Sequence, residues 1–437
     1  MTRVGRATWV AGRHGYGALV GAGLVVAYAL LWFFYRPPEG MSVSYLGEVL
    51  GVEAVVFMAW SMAMVTVLPS MESAYGGLDR QLAWHRRAAI AGTVVMVVHS
   101  QLTRGGVRSG VGGGLANVGF YGLAALVVWA LVGPTTRAGR WRGPVGWLAR
   151  VPYDRWLPVH RLTGIFLVAA MVHGFLQDAS LDRSQMLKVT YLGICVLGVA
   201  TFLYRELLMR HLLPSFAHAV TEVERADDRL LLVTLEPRGT PLQLRPGQYV
   251  YVLFGTEGWR PHPFTVAGTD DAHRLQLAIQ ASGNETAALF EKLSPGVPAQ
   301  VLGPHGRFDY RAGGPRQVWI AAGVGITPFH SWTQSLDVTG EREVDFFYTF
   351  PEAERALFLG DVSTAAQQNP SLHLHLIASS RDGRLTPEQV ADAIPVPRDD
   401  VFVYMCGPLT MMRTFEKRLQ QLGFQKRHII WERFEVR

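Results

Sequence analysis

Residues 85–103 read HRRAAIAGTVVMVVHSQLT, and residues 157–177 read LPVHRLTGIFLVAAMVHGFLQ. Both stretches suit a transmembrane helix, which needs about 20 mostly apolar residues to cross a hydrocarbon core of about 30 Å. Each carries one histidine near either end, namely His85, His99, His160 and His173. Ionisable side chains inside a membrane are costly and usually serve a function. The two stretches therefore predict a membrane domain built around paired histidines.

Four further stretches have a similar length and apolar character, which gives six predicted spans. The six cover residues 16–35, 49–68, 85–103, 116–133, 157–177 and 186–204. The first is too long for a signal-peptide core and lacks a clear cleavage site, so we expect it to be retained. After about residue 212 the sequence reads instead as soluble α/β sequence.

Arginines next to the spans predict the orientation. Arg3, Arg6 and Arg13 precede the first span. Others cluster at the second and fourth connections, namely Arg80, Arg86, Arg87, Arg137, Arg140, Arg142, Arg150 and Arg155. The positive-inside rule places both termini and the C-terminal half in the cytoplasm of a multi-pass plasma-membrane protein. These arginines also explain the net charge of +6 without a nucleic-acid partner.

The histidine spacing predicts two levels of imidazole. Separations of 14 and 13 residues correspond to about 21 and 20 Å of helix. With both spans running outward, His85 faces His160 and His99 faces His173. Each facing pair can ligate one haem iron, so that two haems stack across the bilayer. Zinc or copper also bind imidazole, but one ion could not collect four histidines from two levels.

The 13-residue spacing has a geometric consequence. Fourteen steps of about 100° return within about 40° of the start, but 13 steps end about 140° away. We therefore expect a local distortion in the fifth span, or a different approach angle at one haem. Arg86, Arg87 and Arg161 flank the inner pair and could meet haem propionates or simply set the topology.

The chain has two cysteines, Cys195 and Cys406. Two thiols cannot hold a four-thiolate iron–sulfur cluster or a four-cysteine zinc site. We therefore expect any electron carrier to be organic, or a haem held by other ligands.

Strand-like alternation with turn signals begins at residue 217. Residues 262–265 read HPFT, and residues 282–286 read SGNET and open a predicted helix. Small and hydroxyl residues with free backbone N–H groups at a helix N-terminus suit a pyrophosphate.

A second soluble unit begins near residue 313. An apolar strand over 317–322 leads through GVGITP, residues 323–328, into a helix. Glycines there allow phosphates to approach the backbone and the helix N-terminus. Further strands are predicted at 344–349, 372–379 and 401–405. Alternation with helices predicts a parallel, doubly wound sheet, with Cys406-Gly407-Pro408 at its ligand-binding carboxyl edge.

At this point the chain resembles the ferric reductase/NADPH oxidase superfamily over nearly its whole length, in the form of a bacterial-type minimal member. The resemblance implies a six-helix transmembrane haem domain over 1–213. It implies a β-barrel FAD-binding domain over 214–312 and an α/β NAD(P)-binding domain over 313–437, as in the ferredoxin–NADP reductase fold.

The resemblance also implies roles for individual residues. His85 and His160 would hold the inner haem, and His99 and His173 the outer one. The FAD contacts would be His262, Pro263, Phe264, Thr265, Gly283, Thr286 and Phe434. The nucleotide contacts would be Gly323, Gly325, Thr327, Pro328, Cys406, Gly407 and Pro408. Cys406, near the nicotinamide, and Phe434, which covers the flavin until nicotinamide displaces it, are the implied catalytic residues.

The implied activity is electron transfer from NADPH through FAD and two b-type haems to an extracytoplasmic acceptor, either O2 giving superoxide or a ferric chelate. Thr103 stands where the family's oxidases often carry a further histidine, which weakens the case for superoxide. No regulatory extension or obligatory protein partner is evident. Two alternatives stay open: a quinone or partner protein as acceptor, and a histidine-lined metal transporter with a regulatory nucleotide domain.

We expect NADPH rather than NADH as donor, because Ser379, Ser380 and Arg381 follow the 372–378 strand where an adenosine ribose would lie. The planar arginine fork suits a 2′-phosphate. The alternative is a solvated turn around Asp382, which would repel that phosphate, and the earlier strand end Thr349-Phe350-Pro351 lacks the arginine common in NADPH-preferring members. NADH therefore stays possible.

Overall fold

A computed structural model describes residues 15–38, 40–66, 68–103, 110–132, 146–151, 153–209, 215–257, 261–336, 342–395 and 397–432. The chain divides into two compact units, which change over between residues 212 and 213. The first unit is helical, and the second combines a barrel with a parallel sheet.

The helical unit is apolar on its outside as well as in its core. Its helices are α1 Gly17–Phe34, α2 Val43–Ala63, α3 Pro69–Tyr75, α4 Leu78–Leu102, α5 Val111–Val132, α6 Tyr153–His160, α7 Thr163–Gln177, α8 Ala179–Arg183 and α9 Gln185–Leu203, which a π-helical turn extends over Tyr204–Leu208. Leu19, Val111 and Val189 are among many exposed apolar side chains. Helices that are hydrophobic all round are typical of a membrane span or a buried core.

Among the described residues, five helices are long and apolar enough to cross a membrane: Gly17–Phe34, Val43–Ala63, Val111–Val132, Arg155–Gln177 and Gln185–Leu208. The predicted span at 85–103 lies in α4, which has 25 residues but is not one of the five. Arg80, Arg86 and Arg87 in its first turns make this helix too polar on average. The predicted span at 85–103, the third along the chain, therefore stays a prediction.

The second helix, α2, is the centre of the helical unit. Of its span, 56% is buried, against 17–22% of the other four spans. Val56 and Ala59 are fully buried on it. This helix therefore contacts its neighbours on several sides. The residues of α2 that the neighbouring side chains contact show how far apart those side chains lie along the helix axis.

The distortion expected in the fifth span is present. Helix α6 ends at His160, a turn covers Arg161 and Leu162, and α7 begins at Thr163. Pro158 lies inside α6 and has no backbone N–H to donate, which weakens the helix at this point. The interruption falls between His160 and His173, where it can correct the direction of one imidazole.

The first part of the soluble unit is a closed antiparallel barrel with the strand order β1-β2-β5-β4-β3-β6. Its strands are β1 Ser215–Asp227, β2 Leu230–Pro237, β3 Tyr249–Phe254, β4 Pro261–Thr269, β5 Leu275–Gln280 and β6 Pro298–His305, and helix α10, Asn284–Lys292, follows β5. Alternate residues such as Val250 and Val252 fill the interior. Closure leaves the barrel with no free edge.

The second part is a five-stranded parallel sheet with the order β11-β10-β7-β8-β9. Its strands are β7 Arg316–Ala322, β8 Glu343–Phe350, β9 Leu372–Ala378, β10 Phe402–Cys406 and β11 Ile429–Glu432. Its helices are α11 Thr327–Thr333, α12 Leu359–Gln368, α13 Ser379–Asp382, α14 Pro387–Ala393 and α15 Leu409–Gln421. Apolar clusters cover both faces, as parallel sheets require. The predicted barrel and doubly wound sheet are thus confirmed.

Candidate functional site

The helical unit brings the four histidines together in the predicted pairs. The ring centres of His85 and His160 are 6.5 Å apart, and those of His99 and His173 are 6.4 Å apart. Two nitrogen–metal bonds of about 2 Å, plus about 1.2 Å from each nitrogen to its ring centre, add up to roughly 6.4 Å. Each pair is therefore spaced to hold one metal ion between two imidazoles.

Backbone carbonyls fix the orientation of three of the rings. The Nδ1 atoms of His85, His99 and His173 lie 2.9, 2.7 and 3.0 Å from the carbonyl oxygens of Ser61, Gly47 and Gly112. A carbonyl can only accept, so each Nδ1 donates its proton and Nε2 keeps its lone pair. This is the usual arrangement of a histidine that ligates a metal through Nε2.

The two pairs lie at different depths. Gly47 and Ser61, which contact one histidine of each pair, are both on α2 and 14 residues apart. At 1.5 Å per residue, the two levels are separated by about 21 Å along that helix. The structure thus reproduces the two levels expected from the sequence.

A cavity of about 410 Å³ adjoins the pair His99 and His173. Its lining includes the apolar side chains of Met96, Phe120 and Leu167 and the polar side chains of Asn117 and Gln177. Gly51 borders the cavity, and a Cβ atom there would lie 2.8 Å from Cε1 of His99. A larger residue at position 51 would displace the imidazole, so this glycine keeps the room that a planar ligand needs.

Arg205 lies close enough to His85 and His160 to act electrostatically on both, and its guanidinium donates to the carbonyl of Val65. The sequence pattern does not reveal this arginine, because it directly follows the last predicted span. Arg161, which flanks the inner pair in the sequence, has a carboxylate partner in Glu206 at 3.6 Å. Arg205 is therefore a further cation near the inner pair, where it could act on an anionic group.

The HPFT segment lies on β4 of the barrel. His262, Phe264 and Thr265 are buried, and Pro263 is exposed. Nδ1 of His262 is 3.8 Å from Oε2 of Glu285 in the first turn of α10. This contact brings the motif next to the helix N-terminus that holds Gly283 and Thr286.

The N-terminus of α10 differs in one respect from the sequence expectation. Oγ1 of Thr286 accepts hydrogen bonds from the N–H groups of Ser282 at 3.0 Å and Gly283 at 3.1 Å. Those two N–H groups are therefore not free for a phosphate, because the helix caps itself with its own threonine. A Cβ on Gly283 would meet no atom within 4 Å, so the approach to the turn is open.

The carboxyl edge of the sheet brings the two glycine motifs into contact. A Cβ on Gly325 would lie 2.3 Å from the carbonyl oxygen of Cys406, and a Cβ on Gly407 would lie 2.8 Å from the Cβ of Ala322. Gly323 has φ +55° and open space beside it. Thr327 and Pro328 then begin α11, so the N-terminus of a helix follows this glycine turn.

Cys406 is fully buried at the end of β10. Burial, with Glu432 beside it on β11, raises the pKa of the thiol well above its usual value. The sulfur is therefore a neutral thiol at physiological pH and not a nucleophile. Phe434, the other implied catalytic residue, lies outside the described residues.

Arg381 is 78% exposed in its side chain and is paired with the residue that follows it. Its Nε and Nη2 donate to the carboxylate of Asp382 at 2.8 and 3.0 Å. This pairing lowers the pKa of Asp382. The guanidinium fork is thus occupied by a carboxylate, with which a 2′-phosphate would have to compete.

We expect that Arg381→Ala weakens NADPH binding by about ten- to a hundredfold and leaves NADH nearly unchanged, since a charged hydrogen bond contributes roughly 1.5–3 kcal/mol. Asp382→Asn should strengthen NADPH binding, because it removes the carboxylate that occupies the guanidinium of Arg381. Steady-state kinetics with both nucleotides measure these effects. Arg418→Ala is the control, because Arg418 pairs with Glu388 and lies far along α15 from the carboxyl edge. Equal losses for both nucleotides in Arg381→Ala would contradict a role in reading the phosphate.

Comparison with known proteins identifies the two parts of the soluble unit. Residues 215–320 match the family model of an FAD-binding domain, and residues 319–417 match that of an oxidoreductase NAD-binding domain. The chain is 24% identical over 200 residues to NADH-cytochrome b5 reductase 1 of Mortierella alpina, which covers 42% of this chain and 66% of the relative. It is 26% identical over 231 residues to a flavohemoprotein of Vibrio cholerae, which covers 50% of this chain and 59% of the relative.

The chain thus spans less than two thirds of the length of these relatives. Among solved structures, flavohemoglobin from Malassezia yamatoensis, with bound FAD and heme, aligns with a TM-score of 0.51 at 16% identity, over 89% of this chain and 98% of that one. At that identity the likeness concerns the fold alone. The FAD-binding domain and the oxidoreductase NAD-binding domain, which follow each other in the chain, point to an NAD(P)H-dependent oxidoreductase.

Proposed function

We propose that the chain carries electrons from cytoplasmic NAD(P)H through FAD and two b-type haems to an acceptor on the other side of a membrane. The proposal rests on one observation. Two pairs of histidines lie at two levels of an apolar helical unit, and the two rings of each pair face each other. That unit precedes FAD-binding and NAD-binding domains in the same chain. The two levels are about 21 Å apart along α2. A haem at each level would provide one electron-transfer site near each leaflet.

The residues of the helical unit fit haem better than a bare metal ion. Each pair offers two imidazoles, and no cluster of three or more histidine, cysteine or acidic side chains that could hold a metal ion occurs among the described residues. Divalent ions in proteins prefer four or more ligands. A haem supplies four nitrogens itself and needs only two axial ligands. The apolar walls around His99 and His173 suit a porphyrin, and Arg205 suits a propionate at the inner pair.

The soluble unit would hold the nucleotide and the flavin. Bound FAD would accept a hydride and release single electrons, which is the chemistry that haem iron requires. The open turn at Gly323 and the N-terminus of α11 would receive the pyrophosphate of NAD(P)H. Cys406 is buried beside this turn. Its neutral thiol is not a nucleophile, so it would line the nicotinamide site without reacting there.

The acceptor would approach the outer pair, His99 and His173, through the cavity beside them, whose lining includes polar side chains. Thr103 lines this cavity, and its hydroxyl donates to the carbonyl of His99 at 2.9 Å. The hydroxyl of Thr103 therefore donates its proton within its own helix, whereas a histidine at that position could donate one to an acceptor in the cavity. This contact favours a ferric chelate over O2 as the acceptor.

The alternative of a metal transporter fits the site less well. A regulatory nucleotide domain has no need of an FAD-binding domain, whereas a reductase needs both. A quinone or a partner protein as acceptor remains the alternative within the same chemistry.

Purified protein should show a low-spin b-type spectrum on reduction, with about two haems per chain, since each haem takes two of the four histidines. A fragment from residue 213 onward provides the control, because it is a compact unit without the histidine pairs. It should retain flavin and oxidise NAD(P)H with an artificial acceptor, and should contain no haem. A full-length preparation with complete flavin and no haem bands would refute the proposal.

A further inference from the structure

Glu53 is a carboxyl group buried at the middle of α2. The residue is 6% exposed, and neither carboxyl oxygen has a hydrogen-bond partner among the described residues. An unpaired carboxylate in apolar surroundings costs so much free energy that the group stays a neutral acid. An ionisable side chain that makes no structural bond within a membrane span points to a function.

Glu53 faces α1. The buried residues of α1 are Gly17, Gly21, Tyr28 and Trp32, which share one side of that helix. Trp60 lies seven residues after Glu53, on the same side of α2, and touches Gly21, where a Cβ would be 2.5 Å from its Nε1. Glu53 also lies within electrostatic range of Tyr28.

Buried polar groups continue from Glu53 toward the end of α1. The indole N–H of Trp32, whose residue is 1% exposed, makes no hydrogen bond within the described chain, and the hydroxyl of Tyr28, whose residue is 6% exposed, has the side chain of Thr190 on α9 as a hydrogen-bonding neighbour. Beyond them, the hydroxyl of Tyr45 donates to the carbonyl of Trp32 at 2.5 Å. Polar atoms thus occur at every one or two turns of the interface on this side.

Polar groups also continue in the other direction. Nε1 of Trp60 donates to the hydroxyl of Tyr75 at 2.8 Å, and that hydroxyl donates to the carbonyl of Gly17 at 3.1 Å. We call the set Tyr45, Trp32, Tyr28, Glu53, Trp60 and Tyr75 the polar column. It extends from the beginning of α1 to the beginning of α2, and Glu53 is its one carboxyl group.

The polar column runs alongside the histidine pairs. Glu53 is six residues from Gly47 and eight from Ser61, which places it about 9 and 12 Å along α2 from the two histidine levels. It therefore sits between the levels at which electrons would be held, on a different helix interface.

We propose that the polar column, completed by water, conducts protons across the helical unit, and that Glu53 binds and releases the transported proton. Buried water occupies sites with two to four polar partners, and the unpartnered groups of Trp32 and Glu53, together with the hydroxyl of Tyr28, provide them. The inference rests on the proposed function. Each NAD(P)H oxidised would send two electrons outward and release one proton inside, and that proton plus one from the cytoplasm would balance the charge.

Proton flux can be measured without NAD(P)H. Full-length protein is placed in vesicles that contain a pH-sensitive dye, and valinomycin with a potassium gradient sets the membrane potential. Wild type should pass protons faster than protein-free vesicles. Glu53→Gln should fall to the protein-free rate, because an amide cannot ionise, whereas Glu53→Asp should retain flux. Asp182→Asn is the matched control, since Asp182 is an exposed carboxylate paired with Lys188.

Glu53→Gln should keep its haem and flavin spectra and its NAD(P)H oxidation in detergent, which shows that the variant is folded. Tyr28→Phe, which removes only one hydroxyl, should also lower the flux. Wild-type vesicles no more permeable than protein-free ones, or equal flux in Glu53→Gln, would overturn the inference. A wild type without haem that still conducts protons would instead refute the proposed function and leave the proton pathway standing.

Discussion

His99→Leu and His173→Leu should each remove the outer haem and abolish electron transfer across the membrane, while the inner haem and the flavin remain. The two rings are 6.4 Å apart and oriented by backbone carbonyls, so loss of either imidazole leaves one axial ligand. His85→Leu or His160→Leu should remove the inner haem in the same way. Haem content should fall to about half in each variant, because one of two bis-histidine sites is lost.

The readouts separate the haem effect from a folding defect. NAD(P)H oxidation with an artificial acceptor should stay near the wild-type rate in all four variants, since the flavin lies in the other unit. Met96→Leu is the control, because Met96 lines the same cavity on the same helix as His99 but has no imidazole. Full haem content in His99→Leu, or equal losses in Met96→Leu, would contradict the assignment of ligands.

The histidine pairing was predictable because helical periodicity converts sequence spacing into depth. Separations of 14 and 13 residues were enough to predict two levels, and the carbonyls of Gly47 and Ser61 give the same separation. The break after His160 was also expected, because 13 residues alone turn the two imidazoles to different sides of the helix. That the paired residues bind haem remains a proposal.

Other features depend on side chains that meet only in the fold. Arg205 reaches the inner pair from the π-helical end of α9, a position that periodicity does not reveal. Thr286 was expected beside a phosphate, and its hydroxyl instead caps two N–H groups of its own helix. Short polar side chains compete locally for the backbone, so sequence alone does not decide whether such a group meets a ligand.

The soluble unit was the easier half to predict. Strands β7, β8 and β10 are buried on both faces, and their continuous apolar runs alternate with helices, which is the pattern of a parallel sheet. The 2′-phosphate site was harder, because Arg381 and Asp382 are adjacent and either one could face the ribose. In the structure the two side chains form an ion pair with each other. The sequence alone does not show whether Arg381 binds Asp382 or a 2′-phosphate.

Gly325 should be the least tolerant position of the soluble site. A Cβ there would lie 2.3 Å from the carbonyl oxygen and 2.6 Å from the carbonyl carbon of Cys406. These are backbone atoms of β10, which is hydrogen-bonded to strands on both sides and cannot move aside alone. The turn at the end of β7 must therefore shift, and with it the N-terminus of α11.

Gly325→Ala should weaken NAD(P)H binding by about ten- to a hundredfold, since overpacking typically costs about 1–3 kcal/mol and each 1.4 kcal/mol is a factor of ten. Gly325→Val should be worse, because its two further methyl groups point into the same contact. Flavin and haem spectra should be unchanged, so the loss should appear in the KM and Kd for the nucleotide. Gly360→Ala is the control, because Gly360 lies at the start of α12 and a Cβ there meets nothing within 4 Å. Wild-type nucleotide affinity in Gly325→Ala would show that the turn relaxes without moving the site, and the close contact with Cys406 would then not position the nucleotide.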